Sequence, residues 1–191
     1  MQNRLKQLCI YLPAVLIALL LSACENDINK VKAIAAADAT KPIQRTKDVI
    51  MTISDNAIVK AQLISPLLIE YATKKDPYQI MPKGVKVVLY NDSLKIDATI
   101  TADTGYYYAD KGMVHFKKNV VATRKDGATY KSEELIWDIS KKLAYSNQKV
   151  VMAKPNGDIM NATSFTSDDK LLHPIFQNAT GAIQMNGDLT Q

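Results

Sequence analysis

The side chains best suited to acid–base or metal chemistry are poorly placed for it in this sequence. The two histidines, His115 and His173, do not stand at the i, i+4 spacing that puts two imidazoles on one helix face to bind zinc. The acidic pair Glu133-Glu134 consists of adjacent residues, and neighbours on a strand point to opposite faces of a sheet. The two carboxylates therefore cannot act on one bond. No glycine-rich phosphate loop or nucleophile elbow occurs, so the sequence predicts a protein that is not an enzyme.

Three turn dipeptides at a fixed spacing organise the second half of the chain. They follow one another at intervals of thirty residues: Asp126-Gly127, Asn156-Gly157 and Asn186-Gly187. Such dipeptides favour type I′ hairpin turns, in which both central residues have positive φ. A fixed repeat of this length is typical of a wound or stacked architecture. Between the turns, polar residues alternate with valine, isoleucine, threonine and tyrosine. This alternation predicts consecutive hairpins with one buried face and one solvent-exposed face.

The sequence of the first part of the domain also predicts strands, but the turn residues between these strands are less regularly spaced. Alternation begins near Val49, and Ser65-Pro66 is expected to break it, since proline cannot donate to a strand ladder. Residues 74–84 are expected to form a loop, because prolines and a glycine recur there. A last strand is expected over residues 175–183. The expected fold is all-β, a twisted antiparallel β-jellyroll or open sandwich of consecutive hairpins whose ends remain free to pair with another sheet.

The N-terminus has the pattern of an export signal. Arg4 and Lys6 form a charged region, and residues 8–21 are apolar but shorter than the ~20 residues that a spanning helix needs. The segment ends in Leu-Ser-Ala-Cys24, which resembles the bacterial lipobox, whose cysteine is acylated. A short membrane anchor with an incidental cysteine is the alternative. The expected organisation is a lipoprotein signal peptide over 1–23, a tether over 24–46, a β-jellyroll domain over 47–185 and a tail over 186–191.

The charge and the cysteine content of the sequence argue against two features: a nucleic-acid partner and sites built from cysteines. The formal net charge of +5 includes two residues of the predicted leader, and the basic residues do not cluster, so nucleic acid is not expected as a partner. The two cysteines are Cys9 and Cys24, both within or next to the leader. The folded domain therefore has no disulfide and no thiolate metal site, and no cofactor or metal is predicted.

Alternation selects a set of residues expected to face the interior, where they line either a lipid groove or an ordinary sandwich core. They are Val87, Leu89, Ile96, Ala98, Ile100, Val114, Phe116, Leu135, Trp137, Ile139, Val150 and Met152. Three basic pairs either meet lipid phosphates at a groove rim or are solvated strand ends: Lys117-Lys118, Arg124-Lys125 and Lys141-Lys142. The tyrosines of residues 106–108 either form a carbohydrate platform or divide between core and surface.

An ordered set of motifs resembles the LptC family, the membrane-tethered periplasmic component of the lipopolysaccharide export machinery. The motifs are Asp92-Ser93 with Ile96-Asp97-Ala98-Thr99-Ile100-Thr101-Ala102-Asp103 and Tyr106-Tyr107, then Ser132-Glu133-Glu134-Leu135-Ile136-Trp137-Asp138 with Lys142-Leu143-Ala144-Tyr145-Ser146, and Pro155-Asn156-Gly157 leading into Phe165-Thr166-Ser167-Asp168. Together they cover about residues 85–169. The best-known members are held by a transmembrane helix, whereas this chain has the lipobox-like Cys24.

The resemblance implies a periplasmic lipid-transfer protein at the inner membrane, and the lipobox-like Cys24 predicts that its anchor is a lipid. It would receive lipopolysaccharide from an inner-membrane ABC transporter and pass it to a bridge protein of the same β-jellyroll fold, as a step of outer-membrane biogenesis. A structural or adhesive surface lipoprotein built of β-repeats is the alternative. The two differ in the interior, because transport requires an apolar space that a fatty guest can reach.

Overall fold

A computed structural model describes residues 42–72 and 76–182. This part of the chain is all-β apart from one 3₁₀ turn, Ala109–Lys111, and the prediction of an antiparallel sheet of consecutive hairpins is confirmed. No helix within these residues is long and apolar enough to cross a bilayer. The predicted signal peptide, Cys24, the predicted turn at Asn186-Gly187 and the predicted tail lie outside the described residues.

Fourteen strands follow one another along the chain. They are β1 (Gln44–Asp55), β2 (Ile58–Tyr71), β3 (Tyr78–Met81), β4 (Val85–Tyr90), β5 (Ile96–Ala102), β6 (Thr104–Tyr108), β7 (Met113–Arg124), β8 (Thr129–Asp138), β9 (Leu143–Ser146), β10 (Val150–Ala153), β11 (Ile159–Ala162), β12 (Ser164–Asp168), β13 (Ile175–Gln177) and β14 (Thr180–Ala182). Strand β1 begins within the segment that the sequence assigns to the tether.

The long strands each divide between two layers. The first half of β2 pairs with β4 and its second half with β3. Likewise β7 divides between β6 and β5, and β8 between β10 and β9. Layer I therefore contains β3, β6, β9, β12 and β13, and layer II contains β4, β5, β10, β11 and β14. All the strands remain linked by pairing in one sheet that folds over on itself, with β1 beside both halves of β2.

A seam of hydrogen bonds joins the two layers at a corner. Ser65 Oγ donates to the Gly84 carbonyl at 2.8 Å, Gly84 N to the Asp103 carbonyl at 2.9 Å and Asp103 N to the Lys118 carbonyl at 3.1 Å. Lys118 and Asn119 take left-handed backbone angles, with φ of 64° and 49°, where the register of β7 with β8 shifts. Such a bulge bends a strand without ending it, so the polypeptide turns from one layer to the other while its backbone groups stay paired.

The turns opposite the corner form the mouth of the fold, and their type differs from the prediction. Gly127 and Gly157 have φ of 82° and 92°, whereas Asp126 and Asn156 do not have positive φ. Gly127 N donates to the Arg124 carbonyl at 2.9 Å, which is the geometry of a three-residue loop ending in a left-handed glycine. The hairpins at both dipeptides are confirmed, but the type I′ assignment is wrong. The Asp126 and Asn156 side chains accept the backbone N–H two residues on, which stabilises the longer loop.

Three strand boundaries also correct the prediction. Ser65-Pro66 does not break β2, because Pro66 lies at the corner and is left out of the pairing with β1, so no ladder bond is lost. Strand β3 lies inside the expected loop 74–84. Its four residues stand between two prolines, and the sequence pattern therefore does not indicate a strand there. The expected strand 175–183 is two strands, β13 and β14, separated by a left-handed Asn178 with φ of 48°.

Two neighbouring rows of side chains cover the inner face of layer I. The corner-side row lies next to the seam and consists, in pairing order, of Met81, Gly105, Phe116 and Leu135. The mouth-side row lies two residues further along the same strands and consists of Gln79, Tyr107, Val114, Trp137, Ala144 and Ser167. Layer II faces these rows with apolar side chains that include Val87, Ile100 and Met152, all of them buried.

Candidate functional site

A cleft of about 530 Å³ opens between the two layers at the mouth of the fold. Its inner wall is apolar: Leu89 comes from layer II, and Trp137 and Ile139 come from layer I. This volume lies within the usual range of sites for small molecules and cofactors. The two layers therefore do not meet as a solid core along their whole depth, and the space between them is reached from the turns.

Charged side chains surround the apolar wall. Lys60 and Asp92 come from the turn ends of layer II, and Lys142 and Lys170 come from those of layer I. Lys60 Nζ lies 2.7 Å from Asp92 Oδ1, and this hydrogen bond is the main reason that the pKa of Asp92 is lowered. Lys170 lowers the pKa of Asp92 further, although it belongs to the other layer. The mouth is thus apolar within and charged at its border, which suits an amphiphile.

One turn of the mouth is held by a buried carboxylate. Asp138 is 2% exposed and accepts hydrogen bonds from Lys141 Nζ at 2.8 Å, Ser140 Oγ at 2.6 Å and Lys141 N at 2.9 Å. These bonds, that of the Lys141 side chain first, lower the pKa of Asp138 to about 2. Asp138 therefore fixes the turn that brings Ile139 and Lys142 to the cleft.

The C-terminal part of the mouth is closed by an aromatic contact between the layers. Tyr130 of layer II stacks on Phe165 of layer I with their ring centroids 5.7 Å apart. The Tyr130 hydroxyl donates to the Leu171 carbonyl at 3.3 Å, and the Leu171 side chain is fully buried. We call Tyr130, Phe165 and Leu171 the aromatic latch.

The interior predicted from alternation is placed almost as expected. Ten of the twelve predicted residues are buried, and Ile139 is partly buried against the core. Ile96 is the exception, because it is 54% exposed. It is the first residue of β5, beside a turn and next to a register shift against β4, where no opposing side chain covers it. Only Leu89, Trp137 and Ile139 of the set line the cleft.

The basic pairs singled out in the sequence lie mostly elsewhere. Lys125 pairs with Asp97 at 2.6 Å, and Arg124 pairs with Asp126 at 3.0 Å. Lys117 lies over the outer-face ring of Tyr106. Within these pairs Lys142 alone lines the cleft.

Sequence reasoning missed Lys60 and Lys170 at the rim. They are separated by more than a hundred positions and stand next to apolar strand ends, each close to a turn. A lysine directly after a turn is common on any surface, so only the stacking of the layers distinguishes these two.

The outer face of layer I carries the residues with acid–base chemistry. His115 faces Glu134, with Nε2 and Oε2 3.4 Å apart, and burial lowers the pKa of the histidine. His173 instead contacts Asp168 in the loop after β12, so the two histidines do not form one site. Tyr106 and Tyr108 lie on this outer face against Tyr78, whereas Tyr107 packs on the core. The predicted division of the tyrosines between core and surface is confirmed.

Both ends of the sheet offer strands for pairing. Among the described residues, β1 pairs with β2 alone along its whole length. At the other end, β13 pairs with β12 and β14 pairs with β11, each over three residues. An edge strand presents backbone N–H and C=O groups to a partner sheet. The long β1 edge therefore offers a larger template than the two short C-terminal strands.

Fold and cleft together define an open-ended β-jellyroll with an amphipathic groove between its layers. The family model described as "Lipopolysaccharide-assembly, LptC-related" matches residues 10–172. Because this match spans most of the chain, the protein belongs to the LptC family, and so to the components of lipopolysaccharide transport. No curated relative matches the chain.

Proposed function

We propose that this chain takes up lipopolysaccharide from an inner-membrane ABC transporter and passes it to a bridging β-jellyroll protein. The observation that carries the proposal is the cleft between the layers, with Leu89, Trp137 and Ile139 inside and both lysines and aspartates at its rim. Each CH₂ kept out of water contributes ~0.8 kcal/mol, so acyl chains favour such a lining over solvent. The lipid phosphates would lie beside Lys142 and Lys170.

Photo-crosslinking in cells tests the route of the lipid. A photoreactive amino acid at Leu89 or Ile139 is expected to give a lipopolysaccharide adduct. The matched control is Thr99, which lies in the layer II strand β5 between Val88 and Thr123 and is not part of the cleft. Export of a folded protein with no adduct at either cleft position would contradict the proposal.

Depletion of the protein separates transport from the structural or adhesive alternative. Loss of a transport component is expected to hold newly made lipopolysaccharide at the inner membrane. Loss of an adhesive lipoprotein would leave the distribution of lipopolysaccharide between the two membranes unchanged. Membrane fractionation after pulse labelling measures this distribution.

The partners are proposed to pair with the open edges of the sheet. Ile50 on β1 and Ile175 on β13 are each 65% exposed, so they form a matched pair at opposite ends. Lysine on an edge strand opposes pairing with another sheet. Ile50→Lys and Ile175→Lys are each expected to lose a different partner in co-purification from membranes. Retention of every partner by both variants would exclude edge pairing.

The anchor is proposed to be the acylated Cys24. Acyl chains at this cysteine would hold the protein on the membrane, because each buried CH₂ adds ~0.8 kcal/mol. Metabolic labelling with a radioactive fatty acid is expected to mark the wild-type protein and not Cys24→Ser. A wild-type protein without label would show that the apolar N-terminal segment, and not a lipid, is the anchor.

A further inference from the structure

Three buried polar atoms without a hydrogen-bond partner lie in one row of the fold. Within the described part of the chain, four buried side-chain atoms find no partner: Gln79 Oε1, Trp137 Nε1, Ser167 Oγ and, on the outer face 3.4 Å from Glu134 Oε2, His115 Nε2. The first three belong to the mouth-side row of layer I. Buried polar groups are paired in the great majority of cases, so three exceptions in one row require an explanation.

Other buried polar residues of the described chain are mostly hydrogen-bonded. Asp97 accepts from Lys125, Ser65 Oγ donates to the Gly84 carbonyl at the corner and Ser146 Oγ accepts the Gln148 N–H. Asp138 accepts three hydrogen bonds in the turn that it holds. The unpaired buried atoms are therefore concentrated in the mouth-side row, and Trp137 is the member of that row that lines the cleft.

Trp137 is the clearest member of the row. Its side chain is 3% exposed and lines the cleft, and an indole nitrogen can only donate a hydrogen bond. Its neighbour across the next strand is Ala144, and Ser167 follows on the strand beyond. Because neighbouring strands are ~4.8 Å apart, Trp137 and Ser167 lie roughly 10 Å apart with the small Ala144 between them. Of these residues Trp137 alone lines the cleft, so it is the member of the row that a guest there meets first.

We propose that the mouth-side row recognises the carbonyl linkages of an acylated amphiphile, with Trp137 Nε1–H donating to an ester or amide carbonyl. This inference rests on the proposed function and names the part of the lipid that the cleft recognises. The linkage lies where an acyl chain joins its polar head, which is also where the apolar wall of the cleft meets the charged rim.

A pair of lipids that differ only in the linkage tests the inference. The probes are phosphatidic acid with two ester-linked chains and its dialkyl ether analogue, which lacks the carbonyl groups. The full chain is used in an alkyl maltoside, a detergent without a carbonyl. One net hydrogen bond corresponds to about a three- to tenfold change in affinity. The wild-type protein is expected to bind the ester lipid more tightly than the ether lipid by this factor.

Trp137→Phe removes the donor and keeps an aromatic ring. It is expected to weaken binding of the ester lipid about three- to tenfold and to leave binding of the ether lipid unchanged. Tyr145→Phe is the matched control, because it removes a polar group from an outer-face pocket of the same layer. Equal binding of both lipids by the wild type, or equal loss of both in Trp137→Phe, would overturn the inference. Binding of neither lipid by the wild type would count against the proposed function itself.

A spectroscopic measurement gives a second, independent result. The chain has one tryptophan, so its indole N–H gives a single proton resonance. The ester lipid is expected to move this resonance downfield, as a new hydrogen bond does, and the ether lipid is expected to leave it near its original position. The same shift with both lipids would show that Trp137 senses chain packing only.

Discussion

The two rows on the inner face of layer I lie side by side on the same strands, yet they differ in polarity and in what they face. The corner-side row is apolar, and Met81, Phe116 and Leu135 are at most 2% exposed. The mouth-side row contains Gln79, Trp137 and Ser167, each with a buried side-chain atom that lacks a hydrogen-bond partner, although Gln79 Nε2 donates to Glu70. The corner-side row packs the layers together, whereas Trp137 of the mouth-side row lines the cleft between them. Depth between the layers, and not the identity of the face, therefore separates the two rows.

The largest effect on the free energy of unfolding is expected for a substitution in the corner-side row. Phe116→Ala removes a fully buried ring next to the seam, and such truncations lower the free energy of unfolding by about 3–5 kcal/mol. Lys117→Ala, on the exposed outer face of the same strand, is the control and is expected to change it by less than about 0.5 kcal/mol. Urea unfolding followed by circular dichroism measures both. A loss near that of the control would show that the corner is not tightly packed.

A smaller loss of stability is expected when a methyl group is added to the same row. A Cβ atom at Gly105 would lie 2.9 Å from Val85 Cγ1 and 3.1 Å from Met81 Cε. Gly105→Ala therefore overpacks the corner and is expected to cost about 1–3 kcal/mol in the free energy of unfolding. Unchanged stability would mean that the two layers separate easily at the corner, and the distinction between the rows would fail.

The turn of Asp138 is expected to give a pH-dependent effect. The folded protein lowers the pKa of this carboxyl from 3.8 to about 2, so its contribution is present above about pH 4 and is lost as the pH falls towards 2. Asp138→Asn is expected to lower the free energy of unfolding at neutral pH by about 1–2 kcal/mol. The variant should also lose less stability than the wild type between pH 4 and pH 2. Parallel pH profiles for the two proteins would contradict this role.

The smallest effect is expected for Trp137→Phe in the mouth-side row. The loss of apolar area is offset by removal of a buried donor without a partner, so the net change is expected to stay within about 1 kcal/mol. Thermal unfolding in the absence of added lipid measures it. A loss as large as that of Phe116→Ala would place Trp137 in the core and would remove the difference between the rows.

Alternation along the strands predicted the fold and the inward faces, because neighbouring side chains of a strand must point to opposite sides. It placed Trp137 and Phe116 equally in the interior, since a period of two contains no information about depth. The exposed Ile96 was misassigned for the same reason, because the pattern continues to the strand end whereas the cover from the opposite layer does not.

Of the rim lysines, Lys142 belongs to a pair singled out in the sequence, whereas Lys60 and Lys170 could not be predicted, because they come to the same cleft only through the folding of the sheet. The turn at Asn56 and Ala57, where both residues have positive φ at 50° and 63°, could be predicted without a glycine, because the polar cluster Ser54-Asp55-Asn56 is typical of a turn. The glycines at 127 and 157 likewise marked their hairpins correctly. Local signals therefore located turns, and contacts between distant strands had to be seen in the structure.

The seam at the corner lies on one side of the fold only. If the mouth widens, side chains move apart, and the Tyr130–Leu171 hydrogen bond and the Tyr130–Phe165 stack lengthen, but no pairing between strands has to break. Widening of the mouth is then opposed by the contacts of the aromatic latch and not by the hydrogen bonds between strands. The space between the layers can therefore widen while the secondary structure stays intact.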